Sequence, residues 1–244
     1  MNTVRTIALN EIANFEEQYI CLRQLEKRLY NDEEIKQFPK INRSHVHYEE
    51  WLIREGSCKR LMNYLSRKKS SLKILEVGCG NGWLSHRLSQ IKYANVVGLD
   101  INKRELQQAE RIFSNIPNLS FFHGELSSNI FQFEQFDVIV FAASIQYFSC
   151  FFEAIETALD RLHNEGEIHI IDTKFYSEKE VEEAKKKSDN YFTAQGFGGM
   201  KQFYFHHSVQ QVRQFNYSIH YDPNSMVNKF LKRKNPFHWI IIKK

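Results

Sequence analysis

The sequence predicts an α/β fold: a mostly parallel, doubly wound sheet with helices on both faces, behind a helical N-terminal segment. Three observations predict it. From residue 72 onward, apolar runs of strand length alternate with amphipathic runs of helical length. The first such pair, Ile74 to Val77 and Trp83 to Ile91, is joined by a turn with glycine at alternate positions, Gly78, Gly80 and Gly82. Glycine there lets the backbone turn tightly and approach a ligand closely, as at the first strand–helix junction of nucleotide-binding sheets. Finally, residues before 72 show helical spacing only.

In chain order, residues 10–38 place Ile12, Phe15, Tyr19, Leu22, Leu25 and Leu29 at helical spacing, and Pro39 ends that helix or begins the next loop. A second helix spans roughly Tyr48 to Ser66, with Trp51, Leu52, Leu61, Met62 and Leu65 on apolar faces. Both are expected to pack on the sheet edge or cover the ligand cleft. Strands follow at 72–77, 95–100, 119–123, 136–142 and 166–172, with helices at 82–91, 103–114 and 150–162. In the second of these helices Leu106, Ala109, Ile112 and Phe113 form one stripe; in the third Phe152, Ile155, Leu159 and Leu162 do so. Asn164-Glu165-Gly166 is expected to turn the chain into the fifth strand. Ser208 caps a further helix before Val209, Val212 and Phe215, and strands are expected at 217–221 and 237–242. Residues 1–70 thus form a helical lid or edge and 71–244 the α/β unit, effectively one domain.

Composition narrows the function classes. With 244 residues and 42% hydrophobic residues the chain can bury a full core. No apolar run approaches the roughly 20 residues a bilayer span needs. Met1 to Glu17 lacks a central hydrophobic block, so no signal peptide is expected. Cys21, Cys58, Cys79 and Cys150 are scattered without a C-x-x-C pair, which suits a reducing compartment and neither a disulfide framework nor a zinc site. A cytoplasmic protein is expected, with no metal. The formal charge is +4, and the short basic runs Arg67 to Lys69, Lys185 to Lys187 and Lys232 to Lys234 read as solvated faces rather than a nucleic-acid stripe.

The glycine turn also excludes chemistry. A dinucleotide fingerprint needs glycine three places after its second glycine, where Trp83 stands, and no Gly-Lys-Ser/Thr phosphate loop is present. Glu76, two places before the first glycine, would sit badly beside a pyrophosphate. It suits a ligand that presents a cation, such as an amino group.

The segment Glu76-Val-Gly-Cys-Gly-Asn-Gly82 resembles the first motif of class I S-adenosylmethionine-dependent methyltransferases, E/D-x-G-x-G-x-G. Asn95-Val-Val-Gly-Leu-Asp100 supplies the acid that this family expects at the end of its second strand. The resemblance covers residues 45–172 well and the rest by pattern. It implies a seven-stranded sheet whose last strand runs antiparallel, with S-adenosylmethionine bound and S-adenosylhomocysteine released. It further implies that Gly78, Cys79, Gly80, Asn81 and Gly82 lie against the methionine and ribose, and that Glu76 meets the amino group. Asp100 would hold the ribose hydroxyls and Ile101 the adenine face. Glu125, with Leu126, would meet the adenine amino group, and Phe141 and Ala142 would lie near the methionine moiety.

Ser144, Gln146 and Tyr147 would then look towards the transferring methyl. No Asn/Asp-Pro-Pro-Tyr/Phe motif stands at the fourth strand end, and Phe141 is apolar where catechol-type enzymes hold magnesium through a carboxylate. Nucleic-acid base methylation and metal-assisted O-methylation therefore fall in rank. Residues 173–207 form an insertion before the sixth strand. A helix capped by Ser177 carries Glu178, Glu180, Glu182 and Glu183 early and three lysines later, a polarity that suits the helix dipole. A mobile Gly196 to Gly199 stretch and the aromatic run to His207 complete what reads as a substrate lid.

Methyl transfer from a sulfonium mainly needs alignment and exclusion of water, and a base only where the acceptor's proton has a high pKa. His206, His207 and Tyr147 are the candidate catalytic residues, with Tyr176 and Tyr204 as further candidates and His45 and His47 as lid residues that could enter the cleft. The expected function is methyl transfer to a small molecule by a monomer or homodimer, with no DNA or membrane partner. A protein or RNA acceptor, or a non-catalytic cofactor-binding scaffold, are the alternatives.

Overall fold

The computed structural model describes residues 9–68, 70–128, 131, 134–230 and 235–244. Lys69 and the Lys232 to Lys234 run lie outside the described residues, as does the side chain of Ile12. Strands β1 (Leu72–Val77), β2 (Ala94–Asp100), β3 (Leu119–His123), β4 (Phe136–Ala142), β5 (Leu162–Ile171), β6 (Tyr217–Tyr221) and β7 (Trp239–Lys243) form one sheet in the order β3-β2-β1-β4-β5-β7-β6. Neighbours among β1 to β5 pair in parallel, and β7 runs antiparallel to both β5 and β6. This is the expected seven-stranded, mostly parallel, doubly wound sheet. Successive strands step outward from β1 to β3 and then in the other direction from β4. That reversal opens a crevice at the carboxyl ends of β1 and β4.

Helices α3 (Tyr48–Leu65) and α4 (Trp83–Ser89), with α2 (Asp32–Gln37), cover one face through Phe38, Trp51, Leu61, Leu65, Leu84 and Leu88. Trp83, the residue that breaks the dinucleotide fingerprint, packs edge-on against Trp51 at 5.3 Å. Trp51 in turn stacks on Phe38 at 3.7 Å. A bulky side chain at that turn therefore ties α4 to α3, where glycine would leave a hole. Helix α6 (Phe151–Asp160) covers the other face through Phe151, Ile155 and Ala158, joined by Val212 of α8 (Val209–Val212). Helix α5 (Lys103–Phe113) follows β2; Asn102 caps it by accepting from the Glu105 amide at 3.0 Å.

Three expectations are corrected. Residues 10–38 form two helices, α1 (Leu9–Leu25) and α2, because Lys27 adopts φ +57° and Asn31 starts a new cap. The Asn31 side chain accepts from the Glu34 amide at 3.0 Å, and the Glu34 carboxylate accepts from the Asn31 amide at 2.8 Å. Local side-chain bonds overrode a continuous apolar period. Asn164-Glu165-Gly166 is a bulge inside β5 rather than a turn before it, and α6 ends at Asp160. The register jumps from Phe136 opposite Leu162 to Val138 opposite Glu167, with Glu165 at φ +64°.

The insertion forms α7 (Glu178–Ala194), and Ser177 and Glu180 make its capping box. The glycine stretch, expected to be mobile, leads into a short 3-10 helix, Gly198–Phe203, whose Met200 is buried. A Cβ on Gly199 would collide with the Gln18 side chain of α1, so α1 and the insertion pack together tightly. Among the described residues no helix is long and apolar enough to cross a membrane.

Candidate active site

The glycine turn lies at the reversal of strand order. Gly78 has φ +74°, and a Cβ there would meet the Cβ of Ser144 at 2.5 Å. Ser144 is held in that place because its hydroxyl donates to the Val77 carbonyl at 2.6 Å. Gly82 has φ +73° for a different reason: a Cβ there would meet the Phe121 ring at 2.6 Å. One glycine clears the crevice; the other admits a core ring.

Two carboxylates flank the turn. Glu76 is buried on the α3–α4 face and receives the Ser85 hydroxyl at 2.5 Å. Burial pushes its carboxyl up to about 8, opposed by the Ser85 bond and assisted by the negative charge of Asp100. A cationic group at the turn would restore its charge. Asp100 receives the Gly80 amide and the Asn102 amide, both at 2.7 Å. Burial raises its pKa as well, against those backbone donors. Each of its oxygens keeps a second lone pair, which suits a vicinal diol. Gly124 donates its amide to the Asp100 carbonyl at 3.0 Å and so brings the segment after β3 to the same edge. There Glu125 holds one buried carboxylate oxygen without a hydrogen-bond partner, an acceptor suited to an adenine amino group, and Leu126 is buried beside it. These features fit S-adenosylmethionine at three points: ammonium, ribose and adenine.

The far side of the crevice is walled by aromatics. Ile101, Tyr147, Phe203 and Tyr204 pack with Phe15, Tyr19 and Leu22 of α1. Tyr147 lies edge-on to Phe15 at 5.8 Å, to Tyr19 at 5.9 Å and to Tyr204 at 5.7 Å. Burial raises the Tyr147 phenol, so at neutral pH it is a protonated wall residue and a poor base. Arg23 donates to the Tyr19 hydroxyl at 3.1 Å. Glu105, which sequence patterning does not single out, lies against the turn with an oxygen 3.0 Å from where a Gly80 Cβ would stand. Burial pushes its carboxyl up to about 7, with Asp100 adding to the rise and Arg23 opposing it.

Other sequence candidates fall elsewhere. The Phe141 side chain is fully buried in the α6-side core, edge-on to Phe148 at 5.5 Å; only its backbone reaches the crevice, while Ala142 is partly exposed. Strand alternation sends neighbours to opposite faces. His207 is buried and its Nε2 donates to the Ile145 carbonyl at 3.0 Å, so it fastens the insertion's exit to the turn after β4. His206 bonds the Ser188 hydroxyl at 2.9 Å between the Tyr176 and Tyr204 rings. The structure therefore does not bring the two histidines together at the glycine turn. His47 reaches the Glu26 carbonyl at 2.7 Å, and its amide donates to His45 at 3.1 Å, which braces the link from α1 to α3.

Comparison with known proteins is consistent with this geometry. A family profile described as a methyltransferase domain matches residues 68–222. Over 104 residues the chain is 32% identical to malonyl-[acyl-carrier protein] O-methyltransferase of Halalkalibacterium halodurans, a stretch that is 39% of this chain and 38% of that protein. Over 84 residues it is 32% identical to the eEF1A lysine and N-terminal methyltransferase of Mus musculus, 34% of this chain and 12% of that protein. The matches thus span well under half of these curated relatives. The magnesium protoporphyrin IX methyltransferase of Synechocystis PCC 6803, solved with S-adenosylmethionine, superposes with TM-score 0.60 over 98% of this chain and 99% of that one at 13% identity. The plantazolicin methyltransferase BpumL, solved with a triazolic desmethylPZN analogue and S-adenosylhomocysteine, gives TM-score 0.56 over 97% and 100% at 20% identity.

Proposed function

This chain belongs to the methyltransferase-domain family, with the class I fold and S-adenosylmethionine as cofactor, and from that premise we propose that it methylates a small-molecule acceptor. The observation that carries the reading is the pair of buried strand-end carboxylates, Glu76 and Asp100, on either side of a turn that Ser144 keeps free of side chains. In this reading Glu76 holds the ammonium, Asp100 the ribose and Glu125 the adenine amino group. The backbone from Gly78 to Gly82 lies along the methionine and ribose. Bound cofactor supplies an activated methyl, so the protein's part is to fix the donor, orient the acceptor and keep water out.

The small-molecule acceptor is favoured by the closed character of the acceptor side. Helix α1 and the 3-10 helix Gly198–Phe203 pack over Tyr147, with Phe15 edge-on to Phe203 at 5.2 Å, so this side is covered rather than an open face for a macromolecule. Calorimetric titration with S-adenosylhomocysteine tests the donor half of the proposal: micromolar binding is expected, and silence at millimolar ligand removes its basis. Labelled methyl from S-adenosylmethionine should enter the small-molecule fraction of a cell extract. Label confined to protein or RNA would overturn the acceptor assignment.

A further inference from the structure

A second carboxylate site lies two strands from Glu76, at the end of β5, and the donor reading leaves it unused. Asp172 is only 6% exposed, and neither of its buried carboxylate oxygens makes a well-formed hydrogen bond, although the Ser57 hydroxyl lies near enough to favour its charge. Its backbone has φ +55°, a left-handed conformation that strains a non-glycine residue. The adjoining end of β4 repeats the feature. Ala143 has φ +53° and donates its amide to the Ile171 carbonyl at 3.0 Å. Two neighbouring strand ends therefore hold strained residues beside the crevice, and one of them carries a buried, under-partnered acid. Chains keep such combinations where surrounding structure enforces them, and they concentrate at functional sites.

The surroundings show what the acid faces. On α3, Arg54, Ser57 and Arg60 lie close enough to act on its charge, with Glu50 behind them. Arg54 is committed to Glu50 at 3.0 Å. The Ser57 hydroxyl receives Arg60 at 3.3 Å and Asn235 at 3.0 Å. Cys58 sits between the two carboxylates and feels both Asp172 and Glu76. Strands are spaced by about 4.8 Å, so residues at the ends of β1 and β5, with β4 between them, stand on the order of 10 Å apart. A donor anchored by its ammonium at Glu76 would direct its methyl over β4, towards Asp172.

Resting on that donor reading, we propose that Asp172 receives an N–H of the methyl acceptor and that the acceptor is an amine. The bookkeeping of charge favours nitrogen. The amine's lone pair forms the new N–C bond, the C–S pair stays on the cofactor's sulfur as a thioether, and the nitrogen becomes cationic. Asp172 faces that growing positive charge and then takes the proton the nitrogen sheds, which leaves a neutral methylated amine. Burial raises the pKa of this carboxyl, so it is a stronger base than an exposed aspartate. An anionic oxygen acceptor would instead meet a like charge.

The test uses sinefungin, a cofactor analogue that bears an ammonium where the methyl sulfonium would be, alongside S-adenosylhomocysteine, which bears nothing there. Calorimetry on the wild type should show sinefungin bound at least about tenfold more tightly than S-adenosylhomocysteine, the size expected for one charge-assisted contact. Asp172→Asn should abolish that preference and leave S-adenosylhomocysteine affinity within about twofold. A carboxylate with a purely structural role would weaken or spare both ligands alike. A preference retained in Asp172→Asn, or absent from the wild type, overturns the inference and leaves the donor reading standing. Failure of wild type to bind either ligand overturns both. Should Asp172→Asn not fold, a crystal structure of the wild type with sinefungin decides: the ammonium within about 3.2 Å of an Asp172 oxygen supports the assignment, and its absence sinks it.

Discussion

On the proposed reading the crevice has a donor half and an acceptor half, built in different ways. The donor half, around Gly78 to Gly82, is made by backbone: three glycines in the left-handed region, amides fixed on Asp100, and a serine wedged against the turn. Most of its side chains, Glu76, Ser85, Asp100 and Glu105, come from β1, α4, β2 and α5, within 30 residues of one another, and Ser144 and Glu125 join them from the turns after β4 and β3. The acceptor half is made by side chains. Phe15 and Tyr19 arrive from α1, Tyr147 from the turn after β4, and Phe203 and Tyr204 from the insertion. Residues nearly 190 positions apart meet there, at Phe15 and Phe203, with ring centroids 5.2 Å apart. A half dictated by backbone tolerates almost no change and serves one ligand; a half assembled from distant side chains can be re-cut for another ligand without disturbing the first.

The largest expected effect breaks the donor half alone. Gly78→Ala puts a Cβ 2.5 Å from Ser144 at a positive φ, so turn and serine cannot both stay in place. Overpacking and strain together should cost about 2–4 kcal/mol of folding stability and lower S-adenosylhomocysteine affinity at least about 100-fold. Chemical denaturation and calorimetry measure the two quantities. An alanine variant that binds normally would mean that the turn is not the ligand's seat.

Asp100→Ala comes next. It strips the acceptor from the Gly80 and Asn102 amides as well as from any ribose, so a loss of about 2–3 kcal/mol in cofactor binding, 30- to 150-fold, is expected. Tyr147→Phe should leave that affinity within twofold, since the Tyr147 ring only walls the crevice. If instead the tyrosine variant loses cofactor and the aspartate variant does not, the two halves have been assigned the wrong way round.

Glu76 sharpens the contrast through pH. Its folded carboxyl lies near 8, above its ordinary value of about 4.3, because burial outweighs the Ser85 bond. A raised folded pKa means that the native state holds a proton the unfolded chain has released. The stability it contributes is present in full below pH 4.3 and is lost as pH rises towards 8. Glu76→Gln should flatten its share of that decline in apparent Tm between pH 5 and 8. A bound ammonium favours the carboxylate, so cofactor binding at pH 7 should release up to one proton from this site, visible as a dependence of calorimetric heat on buffer ionisation. Glu105, near 7, titrates in the same window, so the difference between wild type and Glu76→Gln is the quantity to read.

The same contrast explains what could be read from the sequence. The residues proposed for the donor half stand out in the sequence because backbone geometry forces residue types at fixed spacing: Glu76, the alternating glycines and Asp100 lie on one strand–turn–helix–strand unit. The sheet was legible for a similar reason, since burial imposes period and length. The break between α1 and α2 was not, because the Asn31–Glu34 capping box competes with an apolar period that continues through it. Glu105 was hidden because an acid on a helix reads as solvent-facing until the turn folds over it. Asp172 was closer to hand. An apolar strand ending in an acid is the pattern that marks Asp100, and Ile170-Ile171-Asp172 repeats it. The contacts of His206 and His207 were not legible, because they are made with residues 18 and 62 positions away, which no local pattern records.

Those histidines give the smallest effect and the finest test. His207 is buried, its Nε2–H donates to the Ile145 carbonyl, and burial lowers its pKa. It is therefore neutral in the native state at neutral pH. A depressed folded pKa contributes stability above pH 6.5, the ordinary histidine value, and that stability is lost as pH falls below it, because the unfolded chain takes up the proton first. His207→Asn should remove the bond and some packing against Phe151, for about 1–2 kcal/mol of stability, while cofactor affinity stays within twofold. Denaturation at pH 8 and pH 5.5 checks both parts: the variant should differ more from wild type at the higher pH. If His207→Asn folds as well as wild type but shifts the pH dependence of methyl transfer, then this imidazole is a base after all, and the acceptor half extends to the far side of Ile145.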